Sequence, residues 1–302
     1  MKNKIILVRK VDAAQRLAYQ LQKANCRFAT VEAEYGDICV EGNWQTLAHH
    51  TTNYKNYPAP CARKDVQPLD NGVILISHLD LDTLGGIMLL EDEQAMNDTF
   101  WESEALIDTQ GVLAEKFLSK RDQFLMRTYW AWETKLLDQQ YLINPEYLVL
   151  DVTDSVELRI SFIKMMLKEC HTEEEQKLLQ HHYNEFQTDL NAFLSTCVYE
   201  DSKLRIFVSQ TTQHYLSHLK DDELIETCVT LNQHKGTLTI SDISQTFDCK
   251  VFMQDVFGEN AGGQFRVAGS PRDEVMTPND LKRMVELLFE KKGWQMPKEL
   301  KF

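Results

Sequence analysis

No run of about 18 apolar residues occurs anywhere in the 302-residue chain, so the sequence offers no membrane-spanning helix and no membrane partner is expected. The opening MKNKIILVRKVD carries only four consecutive apolar residues, too few for the core of a secretory signal, and a cytoplasmic protein is the expectation. Paired cysteines are also missing. The seven cysteines, at 26, 39, 61, 170, 197, 228 and 249, are odd in number and scattered without a CxxC pair, which argues against a disulfide framework and a thiolate zinc site. Positive charge is scarce: 32 Lys plus Arg face 46 Asp plus Glu, a net charge of -14. A long duplex nucleic acid would be repelled unless a local basic channel compensated, whereas a metal and a few arginines can reverse the field for a small phosphorylated ligand. There is no P-loop, no complete GxGxxG fingerprint, and no nucleophile-elbow context at Ser209 or Ser270. Internal repeats and low-complexity segments are absent too.

What is present is a globular composition, 43% hydrophobic and 10% aromatic, in a chain long enough for two domains. The first seventy residues read as a βαβ-like start. Ile5 to Val8 form a strand, then Ala13, Ala14, Leu17, Ala18 and Leu21 line one face of a helix opened by Asp12, with short strands at Cys26 to Val31 and Asp37 to Val40. A further strand, Val73 to Ile76, runs through the polar HLDLDT into the apolar helix GGIMLLEDE. Residues 112 to 197 are mostly helical by pattern, with box-like starts at Asp154 with Glu157 and at Thr172 with Glu175. From about Lys203 the runs LRIFVSQ, TCVTLNQ and GTLTIS read as strands. The final helix is capped by Thr277, carries Pro278 at its first position and Asp280 at its third, and ends at Gly293. The domain boundary is expected near residue 200, giving 1–200 and 201–302.

The segment Ser77 to Gly86, SHLDLDTLGG, carries the chemistry. In an extended segment His78, Asp80 and Asp82 project to one side and can converge on hard cations, and carboxylate and imidazole ligands suit manganese or magnesium. In open α/β sheets ligands sit beyond the carboxyl ends of strands, where these residues fall. Gly85 and Gly86 would let a phosphate approach backbone N–H groups. The plainer alternative is that Asp80 and Asp82 cap a helix and His78 is a satisfied polar residue at a strand end.

This segment resembles the first motif of the DHH phosphoesterase superfamily, in its H-x-D-x-D form. GENAGGQFRVAGSPR, from Gly258 to Arg272, resembles the glycine-rich loop of the DHHA1 domain that follows it in many members. The two motifs cover about 25 residues and occur in the family's order. The resemblance implies an α/β chain: a Rossmann-like DHH domain with a helical connection, then a smaller α/β DHHA1-like domain. It also implies hydrolysis of a phosphate ester in a small nucleotide, cyclic dinucleotide or short oligonucleotide, with two manganese (or magnesium) ions. A homodimer is left open.

The family's Asp-His-His triplet occurs nowhere in this chain. Two substitutes stand. EYLVLDVTD places Asp151 where the triplet would begin, with Val152 and Thr153 in place of its histidines; LAHHTTNYKNYPAPC offers His49 and His50 ahead of the first motif, and imidazoles can replace imidazoles as ligands whereas Val152 cannot. Asp108 in ALIDTQG is the candidate for the second-motif carboxylate, or else an ordinary turn aspartate. In the glycine-rich loop Gly262, Gly263 and Gly269 allow tight folding around an anion, Arg266 and Arg272 supply charge, Gln264 stands where the family usually has histidine, and Ser270 completes the candidate substrate contacts. A compact structural connection is the alternative reading of this loop.

His181 and His182 sit in a helix with no ligand partner evident at suitable spacing, and Tyr129, Trp130 and Trp132 read as helix packing. The leading expectation is a metal-dependent phosphodiesterase; the alternative is a protein of the same fold that binds or sequesters a nucleotide without hydrolysing it.

Overall fold

A computed structural model describes residues 2–136, 148–211, 215–220, 223–263, 265–271 and 274–297. The chain divides into two compact units, Met1–Phe186 and Gln187–Phe302, and the dividing point falls inside a helix, Glu173–Leu194.

The first unit is built on a five-stranded sheet. Its strands are β1 (Lys4–Val8), β2 (Phe28–Val31), β5 (Gln45–Leu47), β6 (Val73–Ile76) and β7 (Val149–Asp151), in the order β5-β2-β6-β1-β7. A small hairpin of β3 (Glu34–Tyr35) and β4 (Ile38–Cys39) lies between β2 and β5 in sequence. The pairs β2/β5, β2/β6 and β1/β6 are parallel, and β7 runs antiparallel to β1. Four parallel strands therefore end at one rim. Such strands are covered on both faces, which explains why β2 (FATV) and most of β1 and β6 are continuously buried rather than alternating.

Helix α1 (Val11–Lys23) covers one face, setting Ala13, Ala14 and Ala18 against Ile6, Val8, Phe28 and Leu75. It starts one residue before Asp12, with Lys10 at the cap position, so Asp12 lies in the first turn, where its charge favours the helix dipole without a capping bond. The other face packs on α2 (Leu81–Leu90), α3 (Phe100–Gln110), α4 (Lys120–Glu133) and α5 (Thr153–Met166) around Ile5, Leu7, Ile74, Ile76, Trp101 and Tyr129. Helix α6 (Glu173–Leu194) opens with a reciprocal box: Thr172 Oγ1 accepts from Glu175 N and Glu175 accepts from Thr172 N. Asp154 and Glu157 make no such box, because α5 begins earlier, with Val152 at its cap position.

The second unit is a six-stranded sheet ordered β14-β15-β13-β12-β9-β8. Its members are β8 (Cys197–Glu200), β9 (Leu204–Ser209), β12 (Thr227–Asn232), β13 (Thr237–Asp242), β14 (Gly262–Gly263) and β15 (Val267–Gly269), while β10 (Leu219–Lys220) and β11 (Glu223–Leu224) form a separate hairpin. Helices α7 (Cys249–Phe257) and α8 (Pro278–Lys292) lay Phe252, Met253, Leu281, Met284, Val285 and Leu288 on one face. Thr277 and Asp280 cap α8 reciprocally, and Gly293 ends it in the left-handed conformation, as the sequence pattern implies. The chain is thus an α/β protein with a mostly parallel sheet in its first unit and a mixed sheet in its second. Among the described residues, no helix is long and apolar enough to cross a membrane.

Candidate metal centre

The carboxyl ends of β5, β2 and β6 deliver His49, Glu32 and His78 to one rim of the first sheet, because each follows its strand by one or two residues. The side chains converge. His49 Nε2 lies 2.9 Å from Glu32 Oε1, His50 Nε2 lies 3.1 Å from the same oxygen, and His78 Nε2 is 3.0 Å from Glu32 Oε2. Asp80 Oδ2 is 3.0 Å from His78 Nε2, while Asp82 Oδ2 and Asp108 Oδ2 lie 3.6 and 3.4 Å from His49 Nε2. Three triads have ligand atoms close enough to share a cation: Glu32, His49 and His50; Glu32, His78 and Asp80; His49, Asp82 and Asp108.

The structure thus brings together His49, His50, His78, Asp80, Asp82 and Asp108. It also qualifies how they arrive. Residues 78 to 82 are not one extended run: α2 begins at Leu81, and Asp80 is its N-cap, accepting from Thr83 N through Oδ1 while Oδ2 meets His78. Capping and clustering are two uses of one carboxylate. Asp82 is buried in the first turn, where Oδ1 accepts from Cys61 N at 2.8 Å. Asp108 lies in helix α3 rather than in a turn, and α3 carries it toward His49.

Gly85 and Gly86 do not cradle a phosphate. Both are buried inside α2, where a Cβ on Gly85 would come within 2.3 Å of Cys61 Cβ and one on Gly86 within 2.7 Å of Val31 Cγ1. They permit close packing of α2 on the 3-10 turn Pro60–Ala62 and on β2, which in turn sets Cys61 N against Asp82.

Asp151 stands elsewhere. It lies in β7, half exposed, paired with Lys4 at 3.0 Å and accepting from Thr153 Oγ1 at 2.7 Å. The antiparallel run of β7 sets it against Ile6, with Thr153 Oγ1 accepting from Ile5 N. Of the two substitutes for the missing triplet, the pair His49 and His50 is the one the fold brings to the cluster.

Glu32 is the residue that sequence reasoning passed over. It directly follows the buried strand FATV, the same context that made His78 conspicuous, yet a lone glutamate in the run VEAEY carries no motif. Its backbone φ of 48° is a left-handed conformation that a side-chain-bearing residue adopts at a cost. Ser77 Oγ donates to the Glu32 carbonyl, and Thr83 Oγ1 donates to Glu32 Oε2 at 3.0 Å. Two residues on, Glu34 takes the backbone N–H groups of His49, His50 and Thr51, fixing the turn that aims both imidazoles.

Burial alone would raise the Glu32 carboxyl, but hydrogen bonds to His49, His50 and His78 outweigh it and hold it well below the usual carboxylate range. The histidines move the opposite way. Hydrogen bonding to Glu32 lifts His50 to about 9 against desolvation, and Asp80 with Glu32 overcomes desolvation to carry His78 to about 11. Asp82 is pushed up to about 7, by burial first and then by the charge of Glu32. Burial also raises Asp108, and it raises Glu104, buried in α3 one turn before Asp108, well above its ordinary value. Crowded carboxylates next to imidazoles that retain protons form a site with a deficit of positive charge.

The donor set suits a hard divalent cation. It offers four carboxylates and three imidazoles and no thiolate, since Cys61 Sγ turns to the Trp101 carbonyl. Asp82 Oδ2 is buried without a hydrogen-bond partner among the described residues, an acceptor that a cation would satisfy.

The glycine-rich loop belongs to the second unit. Gly262 pairs with Gly269 and Gly263 with Ala268 in the hairpin β14–β15, and Gly263 has a φ of 147° with Ala268 Cα where its Cβ would be. Ser270 is engaged in the sheet: its N donates to Leu238 O and its Oγ accepts from Leu238 N. Arg266 holds the hairpin through its carbonyl, which accepts from Asp242 N, and its side chain is partly buried. Gln264 and Arg272 lie outside the described residues.

No protein-family model matches the chain, and no curated protein matches it. Among solved structures, RecJ from Thermus thermophilus in complex with Mg2+ aligns over 81% of this chain at 13% identity and a TM-score of 0.33. The same protein in complex with Mn2+ aligns over 91% at 12% identity and a TM-score of 0.35. The chain spans about two fifths of those RecJ chains, 41% and 42%. An uncharacterized protein from Helicobacter pylori aligns over 95% of this chain and 81% of its own, at 14% identity and a TM-score of 0.22. These likenesses are remote, and the reading of the site rests on its residues.

Proposed function

We propose that this chain is a divalent-metal-dependent phosphoesterase acting on a small nucleotide, cyclic dinucleotide or short oligonucleotide, with manganese or magnesium as its ions. The observation that carries the reading is the pair of triads, Glu32 with His78 and Asp80, and His49 with Asp82 and Asp108, joined by the 2.9 Å contact between Glu32 and His49. Four carboxylates balance two divalent charges. In this reading Glu32, from the neighbouring strand, supplies the carboxylate missing where Ala48 precedes His49 and His50.

When bound, such ions supply Lewis-acid polarisation of a phosphoryl oxygen and neutralise its developing charge. The protein holds the donors in place through Asp80 at the start of α2, Cys61 N on Asp82, and Glu34 on the turn of His49 and His50. His78 and His50, the half-exposed members, turn Nε2 toward Glu32 and would offer that nitrogen to a cation. The proposed substrate-gripping residues are Arg266 and Arg272, with Gly262, Gly263, Gln264, Gly269 and Ser270 as the further proposed substrate contacts. A guanidinium matches a phosphate in bidentate geometry.

The test is steady-state hydrolysis of di- and trinucleotides, with and without a 5′-phosphate, in manganese and after chelation. Manganese-dependent turnover that disappears in Asp82→Asn supports the reading. Manganese and nucleotide binding without turnover would favour the sequestering alternative, and absence of both binding and turnover would overturn the proposal.

A further inference from the structure

Outside the rim cluster, helix α6 carries a second group of metal-ligating side chains. His181, His182 and Glu185 present ligand atoms close enough to share a cation. Glu185 Oε2 is 2.9 Å from His182 Nδ1, and Glu185 Oε1 is 3.7 Å from His181 Nε2. From sequence the two histidines have no evident ligand partner; the helix supplies one, because residues three and four apart face the same way. Zinc bound to nitrogen at about 2.0–2.1 Å in tetrahedral geometry sets its ligand atoms about 3.3 Å apart. The two contacts, one to each carboxylate oxygen, fall on either side of that spacing, and one ligand atom from each of the three residues lies within 4.8 Å of the others.

Support for the site is uneven in a useful way. His182 is mostly buried, with its ring edge-on to Phe162 at 6.1 Å between centroids, so its orientation is fixed before any ion arrives. His181 is 64% exposed, which leaves the outer side open to solvent and to a water as further ligand. The only cation paired with Glu185 among the described ion pairs, apart from the histidines, is Lys135, whose Nζ lies 4.0 Å from Oε1 and whose exposed side chain can swing away. The rim as a whole is richer in oxygen, with four carboxylates to three imidazoles, although its triad Glu32, His49 and His50 has the same composition as this one. Two imidazoles and one carboxylate standing alone favour zinc, nickel or copper over manganese and magnesium, which prefer oxygen.

The geometry points to a second metal site, His181–His182–Glu185, that binds a borderline transition ion such as zinc in four-coordinate form with one solvent position. It is independent of the rim cluster and of the function proposed for it.

Zinc titration of the full chain by calorimetry, in saturating manganese, tests the proposal. The parent should bind one zinc more than His181→Ala and Glu185→Gln, or bind it at least about tenfold more tightly. Cobalt should give the intense visible absorption of a four-coordinate ion in the parent and lose it in both variants, while His181→Cys should keep cobalt and add a sulfur charge-transfer band. His181 is exposed, and Glu185→Gln keeps the shape of a partly exposed side chain, so a nearly unchanged melting temperature is expected without metal. Equal zinc stoichiometry and affinity in all three proteins, or a six-coordinate cobalt spectrum in the parent, would overturn the site.

Discussion

Single side chains decide the rim cluster, and Glu32 carries more of it than any other. It touches His49, His50 and His78 and accepts from Thr83, so removing its charge disturbs all three imidazoles. Glu32→Gln keeps the shape and is expected to weaken manganese binding by about tenfold or more, as calorimetry would register. Asp82→Asn should do the same while leaving the fold intact. Asp151→Asn should leave manganese binding unchanged, because that side chain is engaged with Lys4 and Thr153 instead. Should Asp151→Asn abolish binding and the His49→Ala, His50→Ala double variant retain it, the assignment of ligands is wrong.

Another single residue sets a pH dependence in the second unit. His218 is buried between Ile225 O at 2.7 Å and Ser241 Oγ at 2.5 Å, and burial lowers its pKa. A histidine whose folded pKa is depressed contributes stability above its unfolded value of about 6.5, and that stability is lost as pH falls below it. Opening of strands β12 and β13, read by amide hydrogen exchange after correction for intrinsic rates, should rise by up to about tenfold per pH unit between about pH 6 and the folded pKa. His218→Asn should flatten that slope, and an unchanged slope would reject the account.

At the scale of elements, α2 is held by what its glycines omit. The Cys61 Cβ sits where a Gly85 side chain would go, so Gly85→Ala must push α2 off the 3-10 turn Pro60–Ala62. Overpacking of this kind costs about 1–3 kcal/mol. Because the same turn donates Cys61 N to Asp82, manganese affinity should fall together with stability, whereas a loss of stability alone would separate packing from the site. Helix α8 offers a simpler case. Thr277→Ala removes the half of its capping box in which Thr277 Oγ1 accepts from Asp280 N, while the backbone N–H at 277 still donates to Asp280, and should cost about 1 kcal/mol in urea unfolding, without any effect on metal binding.

For the whole molecule, the excess of acidic residues makes cations the natural stabilisers. An ion that binds the folded chain at a hundred times its dissociation constant stabilises it by about 2.7 kcal/mol. Manganese should therefore raise the melting temperature of the first unit and a chelator should reverse the rise. Lack of any shift at millimolar manganese would count against a metal centre at the rim. With a net charge of -14, duplex DNA should not compete for the chain at ordinary salt.

The sequence by itself determined the local matters. The buried strands VILI, LRIFV and CVTLN, the capped helix from Pro278 to Lys292 and the motif His78, Asp80, Asp82 are each legible because short β-branched and apolar runs, cap chemistry and ligand spacing act over a few residues. Only the tertiary structure decided which distant residues meet. His49, Glu32 and Asp108 come from beyond the end of β5, a strand end with strained backbone and a helix; local runs make His49 and Asp108 candidates, nothing marks Glu32, and no neighbourhood shows which of them meet His78. Parallel pairing of β5, β2 and β6 brings those strand ends to one rim, and α3 brings Asp108 across. Strand pairing is a long-range choice, made by burial of whole faces, and so it is invisible to a window of ten residues.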